Sequence, residues 1–186
     1  MNIMDLISQF TDSSTLSSLG AAAGTSNSDQ VSSLLSSALP MLLQAMTNNS
    51  QSKKGASSLA KALDDHAADK VTSVSDSVKN ADAEDGSKII SKIFGSKTDA
   101  IEDFLASKTN LSKSQVDKIL SKAAPVVMSL VGSEKNSSGT ESDGISSLIS
   151  SFAGGNFNLG EAASLLSGSE SSGGISSLLG KLFGNK

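Results

Sequence analysis

The sequence predicts an all-α protein: a multi-helical bundle of two tandem pseudo-repeats, followed by a Gly/Ser-rich helical C-terminal tail. Apolar residues recur at helical spacing in several segments. No segment shows the sustained apolar–polar alternation of a strand, and the chain contains no tyrosine and no tryptophan. Only 37 % of the 186 residues are apolar and 41 are serine, so we expect a thin core.

The clearest helix is predicted for residues 112–131. Ser112 and Gln115 have the spacing of a capping box, so we expect the helix to begin there. Gly132 is expected to end it. Pro125 is expected to kink it or to split it at Ala124, because proline removes a helical hydrogen bond. The apolar stripe of this helix consists of Val116, Ile119, Leu120, Ala123, Val127, Leu130 and Val131.

A related helix is predicted 85 residues earlier, over residues 27–46, with a cap at Asn27. Six of the 20 aligned positions are identical, and Pro40 falls on Pro125, the only other proline of the chain. A serine-rich composition explains matched serines but not matched prolines within matched apolar stripes. The sequence therefore predicts a duplication with a period of about 85 residues, its pseudo-repeats covering about residues 1–84 and 85–167.

Shorter helices are predicted around these two. Gly-led amphipathic segments cover residues 55–63, 144–152 and 174–183, and further helices cover residues 67–80, 86–94 and 100–105. Residues 81–85 are predicted to be an acidic turn. We expect flexible linkers at residues 133–143, which contain four Ser and one Gly, and at residues 168–174, which contain three Ser and three Gly. The chain is thereby divided into a helical domain (1–132), the first linker (133–143) and a mobile tail with short amphipathic helices (144–186).

Several motifs resemble those of a bacterial family. They read DGSKIISKIFG at residues 85–95, AIE at 100–102, LSKSQV at 111–116 and APVVM at 124–128. Together they are similar to the YidB-like family, domain of unknown function 937, in which a Gly-led helix ends in Phe-Gly and a later Gln-Val helix contains Ala-Pro. The resemblance covers about residues 1–132. It implies an all-helical fold and a bacterial origin, and it implies no activity.

The segment before these motifs is also similar to that family. The predicted helix at residues 55–63 is followed by Asp65 and His66, where members often have an Asp-His-Asp-Gly turn. Here Ala67 and Ala68 stand in place of the last two residues of that turn. The resemblance therefore includes the first half of the chain but not the complete turn.

The composition argues against an enzyme. The chain has no cysteine and one histidine, which leaves no thiol nucleophile and little scope for histidine chemistry. It has no arginine and a net charge of −4, which disfavours nucleic-acid binding. We therefore expect no catalytic, cofactor-binding or metal-binding residues. The first ten residues lack the basic and apolar regions of a signal peptide, so we expect a cytoplasmic protein.

His66 leaves two interpretations open. On a helix it shares a face with Asp69, and Asp65 lies four residues before Asp69. The three residues suit a carboxylate–histidine cation site, or His66 is a solvated or capping residue near a helix end. The second interpretation is favoured, because zinc normally takes four ligands, mostly His and Cys.

The candidate interaction surface lies in the C-terminal tail. Its apolar stripe has lysines beside it and a Ser/Gly linker before it, and it consists of Ile175, Leu178, Leu179, Leu182 and Phe183. Docking into the chain itself is favoured, a partner protein comes second, and a membrane surface is the least favoured of the three.

These features together favour a non-enzymatic structural or protein-interaction role that includes self-association. The alternative is a protein that binds a small apolar ligand or lipid between the helical repeats.

Overall fold

The computed structural model describes residues 3–153, and within that range every regular element is helical. Nine α-helices follow one another along these residues, and short 3₁₀ turns occupy Gly95–Lys97 and Ser142–Gly144. This confirms the all-α class predicted from the sequence. The helices are α1 (Ile3–Phe10), α2 (Ser13–Ala23), α3 (Ser28–Asn49), α4 (Lys53–Ala67), α5 (Val74–Asn80), α6 (Ala83–Phe94), α7 (Thr98–Thr109), α8 (Lys113–Ser138) and α9 (Ile145–Ala153).

The two longest helices, α3 and α8, carry most of the core. α4 and α6 both pack extensively along α8, while α9 packs mainly on α3. The stripe predicted for α8 faces inward: Val116, Ile119, Val127 and Val131 are fully buried. Burial of such side chains contributes about 1.5–3 kcal/mol each to the stability of a fold.

The predicted helix starts are confirmed. Asn27 accepts a hydrogen bond from the Gln30 amide at 3.2 Å and caps α3. Ser112 and Gln115 form both hydrogen bonds of the capping box at the start of α8, at 3.2 and 2.9 Å. Each bond satisfies an amide that has no partner within its own helix.

The expected end of α8 at Gly132 is wrong, and so is the flexible linker at residues 133–143. α8 continues to Ser138 and ends at Gly139, which takes a left-handed conformation with φ 63°. The 3₁₀ turn at Ser142–Gly144 follows almost directly. Lys135 is buried, and its Nζ is 2.7 Å from an Asp64 carboxylate oxygen on α4, so the last turns of α8 are tied into the fold.

Gly132 instead allows α8 to cross close to α4. A Cβ at this position would overlap the Leu63 carbonyl oxygen of α4. A second crossing of this type joins α6 to α8, because a Cβ at Gly86 would overlap the Ser121 carbonyl oxygen. Both glycines are therefore required by the distance between helix backbones and do not end a helix.

Pro125 does not split α8 at Ala124, as the helix is continuous from Lys113 to Ser138. Pro40 likewise lies inside the continuous helix α3. A proline lacks the amide hydrogen that would bond to the carbonyl four residues earlier. At Pro125 that carbonyl belongs to Ser121, the residue against which Gly86 packs.

The segments on either side of the predicted elements also belong to the core. α1 and α2, which are not among the predicted helices, bury Leu6, Phe10 and Leu19. The predicted helix at residues 144–152 is present as α9, but it is not part of a mobile tail. Ile145, Ile149 and Phe152 are fully buried on the face that packs on the core.

Candidate binding groove

A groove between α4 and α6, called here the α4–α6 groove, is a concave feature of the described residues. Its volume is about 650 Å³, and α8 lies beneath it. The floor is apolar because residues three or four positions apart share one face of a helix. The floor residues are Leu59 and Ala62 of α4, Ile89 and Ile93 of α6, and Met128 of α8.

Two contacts fix the relative direction of α4 and α6. The Asn49 side-chain amide, just before α4, donates to the Ile93 carbonyl near the end of α6, at 2.9 Å. At the opposite end, His66 Nε2 lies 3.6 Å from the Asp85 carboxylate near the start of α6. α4 and α6 are therefore antiparallel. The start of α4 lies beside the end of α6 at one end of the groove, and the end of α4 lies beside the start of α6 at the other.

The rim of the groove carries opposite charges at its two ends. Lys54 and Lys92 line it near the Asn49–Ile93 contact, while Asp65 and Asp85 line it near His66. Within the described range 3–153, neither Lys54 nor Lys92 has an ion-pair partner in the structure. The groove thus has a basic end and an acidic end, separated by an apolar floor.

Lys88 also lines the groove, but its charge is engaged locally. Its Nζ lies 2.7 Å from a Glu84 carboxylate oxygen one turn earlier on α6. This hydrogen bond with Glu84 raises the pKa of Lys88. Lys88 is therefore less available to a bound molecule than the two lysines of the basic end.

The carboxylate–histidine cation site, the less favoured of the two interpretations of His66, does not form. α4 ends at Ala67, so Asp69 lies beyond the helix and shares no helical face with His66. Asp65 instead pairs with Lys61 at 2.9 Å. His66 does lie near a helix end, and its partner is Asp85 on another helix, which spacing along one helix could not identify. No cluster of three or more His, Asp or Glu residues able to hold a metal occurs within the described part of the chain.

A second polar cluster lies between α7 and α8. Glu102 is buried with 6 % of its surface exposed, although its neighbours Asp99, Asp103 and Asp117 are also acidic. Lys113 bridges Asp99 and Asp103 at 2.6 and 3.3 Å. Burial, followed by the nearby negative charge of Asp117, raises the pKa of the Glu102 carboxyl.

Replacing Glu102 by Gln is expected to stabilise the protein at pH 7. Since the folded-state pKa of Glu102 is above its ordinary value of 4.5, the folded protein holds the proton more tightly than the unfolded chain does. The contribution of Glu102 to the unfolding free energy is fully present below pH 4.5, and it is lost as the pH rises through the folded-state pKa of this carboxyl group. Urea titrations at pH 7 and at pH 3.5 should therefore show a gain in unfolding free energy that vanishes at the lower pH.

Asp69→Asn is the control for Glu102→Gln, because Asp69 is an exposed carboxylate that lies outside this cluster. Removing an exposed carboxylate changes stability by only about 0–1 kcal/mol. A Glu102→Gln variant no more stable than wild type at pH 7 would contradict the assignment of a buried, destabilising charge.

The candidate interaction surface predicted in the tail lies outside the described residues, at Ile175, Leu178, Leu179, Leu182 and Phe183. Within residues 4–152, Met4 is the one large hydrophobic residue that is exposed, at 64 %. The α4–α6 groove is a feature that spacing along the sequence did not predict, because it arises from the packing of two helices on a third. No helix in the described range combines the length and apolar character needed to cross a lipid bilayer.

Comparison with known proteins places most of these helices in one family. The family described as a bacterial protein of unknown function (DUF937) matches residues 5–134, which extend from α1 into α8. The match confirms the resemblance to the YidB-like family that the sequence motifs indicate. No curated protein and no solved structure matches the chain.

Proposed function

The chain belongs to the DUF937 family of bacterial proteins of unknown function, and we propose that its role is a non-enzymatic protein interaction in which the α4–α6 groove binds an amphipathic helix. Such helices place their apolar face in a groove and their charges along its rim. The observation that carries this proposal is the apolar floor with one basic and one acidic end.

The dimensions of the groove support a short helix as its occupant. Lys54 and Asp65, which mark its two ends on α4, are eleven residues apart, or about 16 Å at 1.5 Å per residue. A helix of three turns has this length. Leu59, Ile89 and Ile93 are 7–8 % exposed at the floor, so an apolar stripe placed on them would bury the exposure that remains.

The pairing of the polar groups supports a role without catalysis. His66 contacts Asp85, Asp65 contacts Lys61, and the Asn49 amide donates to a backbone carbonyl. A general base or a nucleophile must present an atom to a substrate. These contacts account for the polar groups within the fold, and the apolar floor with its two charged ends remains as the feature that a partner can use.

The proposal is tested with a pair of synthetic amphipathic helical peptides. One peptide carries Glu where it would meet the basic end and Lys where it would meet the acidic end, and the second has Lys in place of that Glu. Fluorescence anisotropy with the full-length protein should show binding of the first peptide. Lys54→Glu combined with Lys92→Glu should weaken it about tenfold, which corresponds to about 1.4 kcal/mol, and should favour the second peptide.

Lys118→Glu is the matched control, because Lys118 is an exposed lysine on α8 that does not line the groove. It lowers the net charge by two, which is half the change in the double variant, and should leave the affinity within twofold. A double rim variant that binds both peptides like wild type would refute the groove as the binding site.

The volume and location of the groove favour a second candidate, a small apolar ligand or lipid. About 650 Å³ is within the range of ligand sites in proteins. The groove also lies between α4 and α6, which belong to the two predicted pseudo-repeats. Native mass spectrometry of the purified protein should then show a retained mass, and the peptides above should compete with it.

The proposal includes the duplication itself. The starts of α2 and α7 are 85 residues apart, as are the starts of α3 and α8. The helix that follows α3 packs on α8, and the helix that follows α8 packs on α3. This reciprocal packing supports a duplication in which the two related halves of the chain cover each other's apolar faces. A cytoplasmic location and self-association are the remaining parts of the proposal, and cell fractionation and light scattering at two concentrations test them.

A further inference from the structure

We infer that the α4–α6 groove is occupied by the chain's own C-terminal segment, residues 170–186, which competes there with an external helix. The inference rests on the proposed function, because it takes the groove as a helix-binding site and names its occupant. Three features of the chain lead to it: the charge order of the segment, its length and its tether.

The charge order of the segment matches that of the groove. Glu170 precedes the apolar stripe of the segment, and Lys181 and Lys186 lie within and after its second half. With the segment parallel to α4, Glu170 meets the basic end at Lys54 and Lys92. Lys181 then meets the acidic end at Asp65 and Asp85. Complementary charges of this kind fix the register and direction of a docked segment more than they raise its affinity.

The length of the predicted tail helix also suits the groove. Residues 174–183 predict a helix of about 15 Å, and Lys54 and Asp65 are about 16 Å apart along α4. Glu170 lies in the Ser/Gly linker before this helix, and the linker allows it to reach the basic end. The apolar residues of the helix recur at i, i+3, i+4, i+7 and i+8, which predicts one continuous stripe for the floor: Ile175, Leu178, Leu179, Leu182 and Phe183.

The connection from α9 is long enough for the segment to dock on its own chain. Residues 154–169 separate Ala153, the end of α9, from Glu170. Extended, such a connection spans about 50 Å, whereas a domain of this size has a radius of gyration of about 15 Å. Tethering of this kind gives a local concentration in the millimolar range, so a weak contact is sufficient.

Disulfide trapping tests the inference, because the chain contains no cysteine and introduced pairs therefore react without background. Lys92→Cys combined with Glu170→Cys should oxidise to an intramolecular disulfide at least tenfold faster than the control pair, Lys118→Cys with Glu170→Cys. Leu178→Glu with Leu182→Glu in the same chain should reduce the rate to that of the control. Circular dichroism establishes that each variant remains helical.

The possible outcomes separate this inference from the proposed function. A disulfide that joins two chains would overturn it in favour of a second copy as the occupant, and a rate equal to the control would overturn it outright. In the peptide assay above, Leu178→Glu with Leu182→Glu should raise the affinity for the external helix about tenfold, because the competing segment is removed. External binding that is strong but unchanged in this variant would leave the proposed function standing and refute the inference.

Discussion

Gly86→Ala is expected to lower the unfolding free energy by roughly 3 kcal/mol and the melting temperature by about 10 °C. Gly86 is buried in α6 where that helix crosses α8. A methyl group there would overlap the Ser121 carbonyl oxygen. Because this oxygen belongs to a helix backbone, no rotation of a side chain can relieve the overlap, and α6 must move away from α8.

The crossing at Gly86 also depends on Pro125. Proline cannot donate the helical hydrogen bond to the carbonyl four residues earlier, which leaves the Ser121 oxygen without that donor. The position where a Cβ would overlap this oxygen is occupied by a hydrogen on the Gly86 Cα. A C–H···O contact at a helix interface is worth about 0.5–1 kcal/mol. Gly86→Ala therefore removes a compensating contact as well as introducing an overlap.

Urea and thermal denaturation followed by circular dichroism measure the effect of Gly86→Ala. Ser91→Ala is the matched control, because Ser91 is exposed on the same helix. Alanine favours a helix in both places, so the control should be within about 0.5 kcal/mol of wild type. A Gly86→Ala variant as stable as the control would show that α6 and α8 do not approach as closely as described.

The parts of the fold that local sequence determines were predictable. The caps at Asn27 and Ser112 depend on a side chain and an amide three residues later, so spacing alone identifies them. The stripe of α8 is predictable because every third or fourth position must be apolar to face a core. The predicted helices at residues 55–63, 86–94 and 100–105 lie inside α4, α6 and α7 for the same reason.

Features that depend on a neighbouring helix were not predictable in this way. A glycine after an apolar stripe usually ends a helix, but Gly132 is needed for the crossing with α4, and only the position of Leu63 reveals this. His66 finds its partner Asp85 on a different helix. The α4–α6 groove has the same origin, because its floor combines residues from three helices and its charged ends depend on their directions.

Phe152→Ala is expected to have an effect comparable to that of Gly86→Ala, a loss of about 3–4 kcal/mol. Phe152 is fully buried on α9, which packs on α3. Truncation of a buried aromatic side chain loses its transfer free energy and leaves a cavity that the surroundings fill only in part. The sequence predicted that the helical domain ends at residue 132, and the family match ends at residue 134. A large effect at position 152 would therefore extend the cooperative unit by a whole helix.

Chemical denaturation distinguishes a helix within the cooperative fold from one appended to it. If α9 unfolds with the rest, Phe152→Ala lowers the midpoint of a single transition while its slope stays constant. Ser147→Ala, at an exposed position of the same helix, should leave the midpoint within about 0.5 kcal/mol of wild type. An unchanged main transition in Phe152→Ala would place α9 outside the cooperative unit. The packing of α9 on α3 would then no longer support the duplication, and only the packing of α4 on α8 would remain as evidence for it.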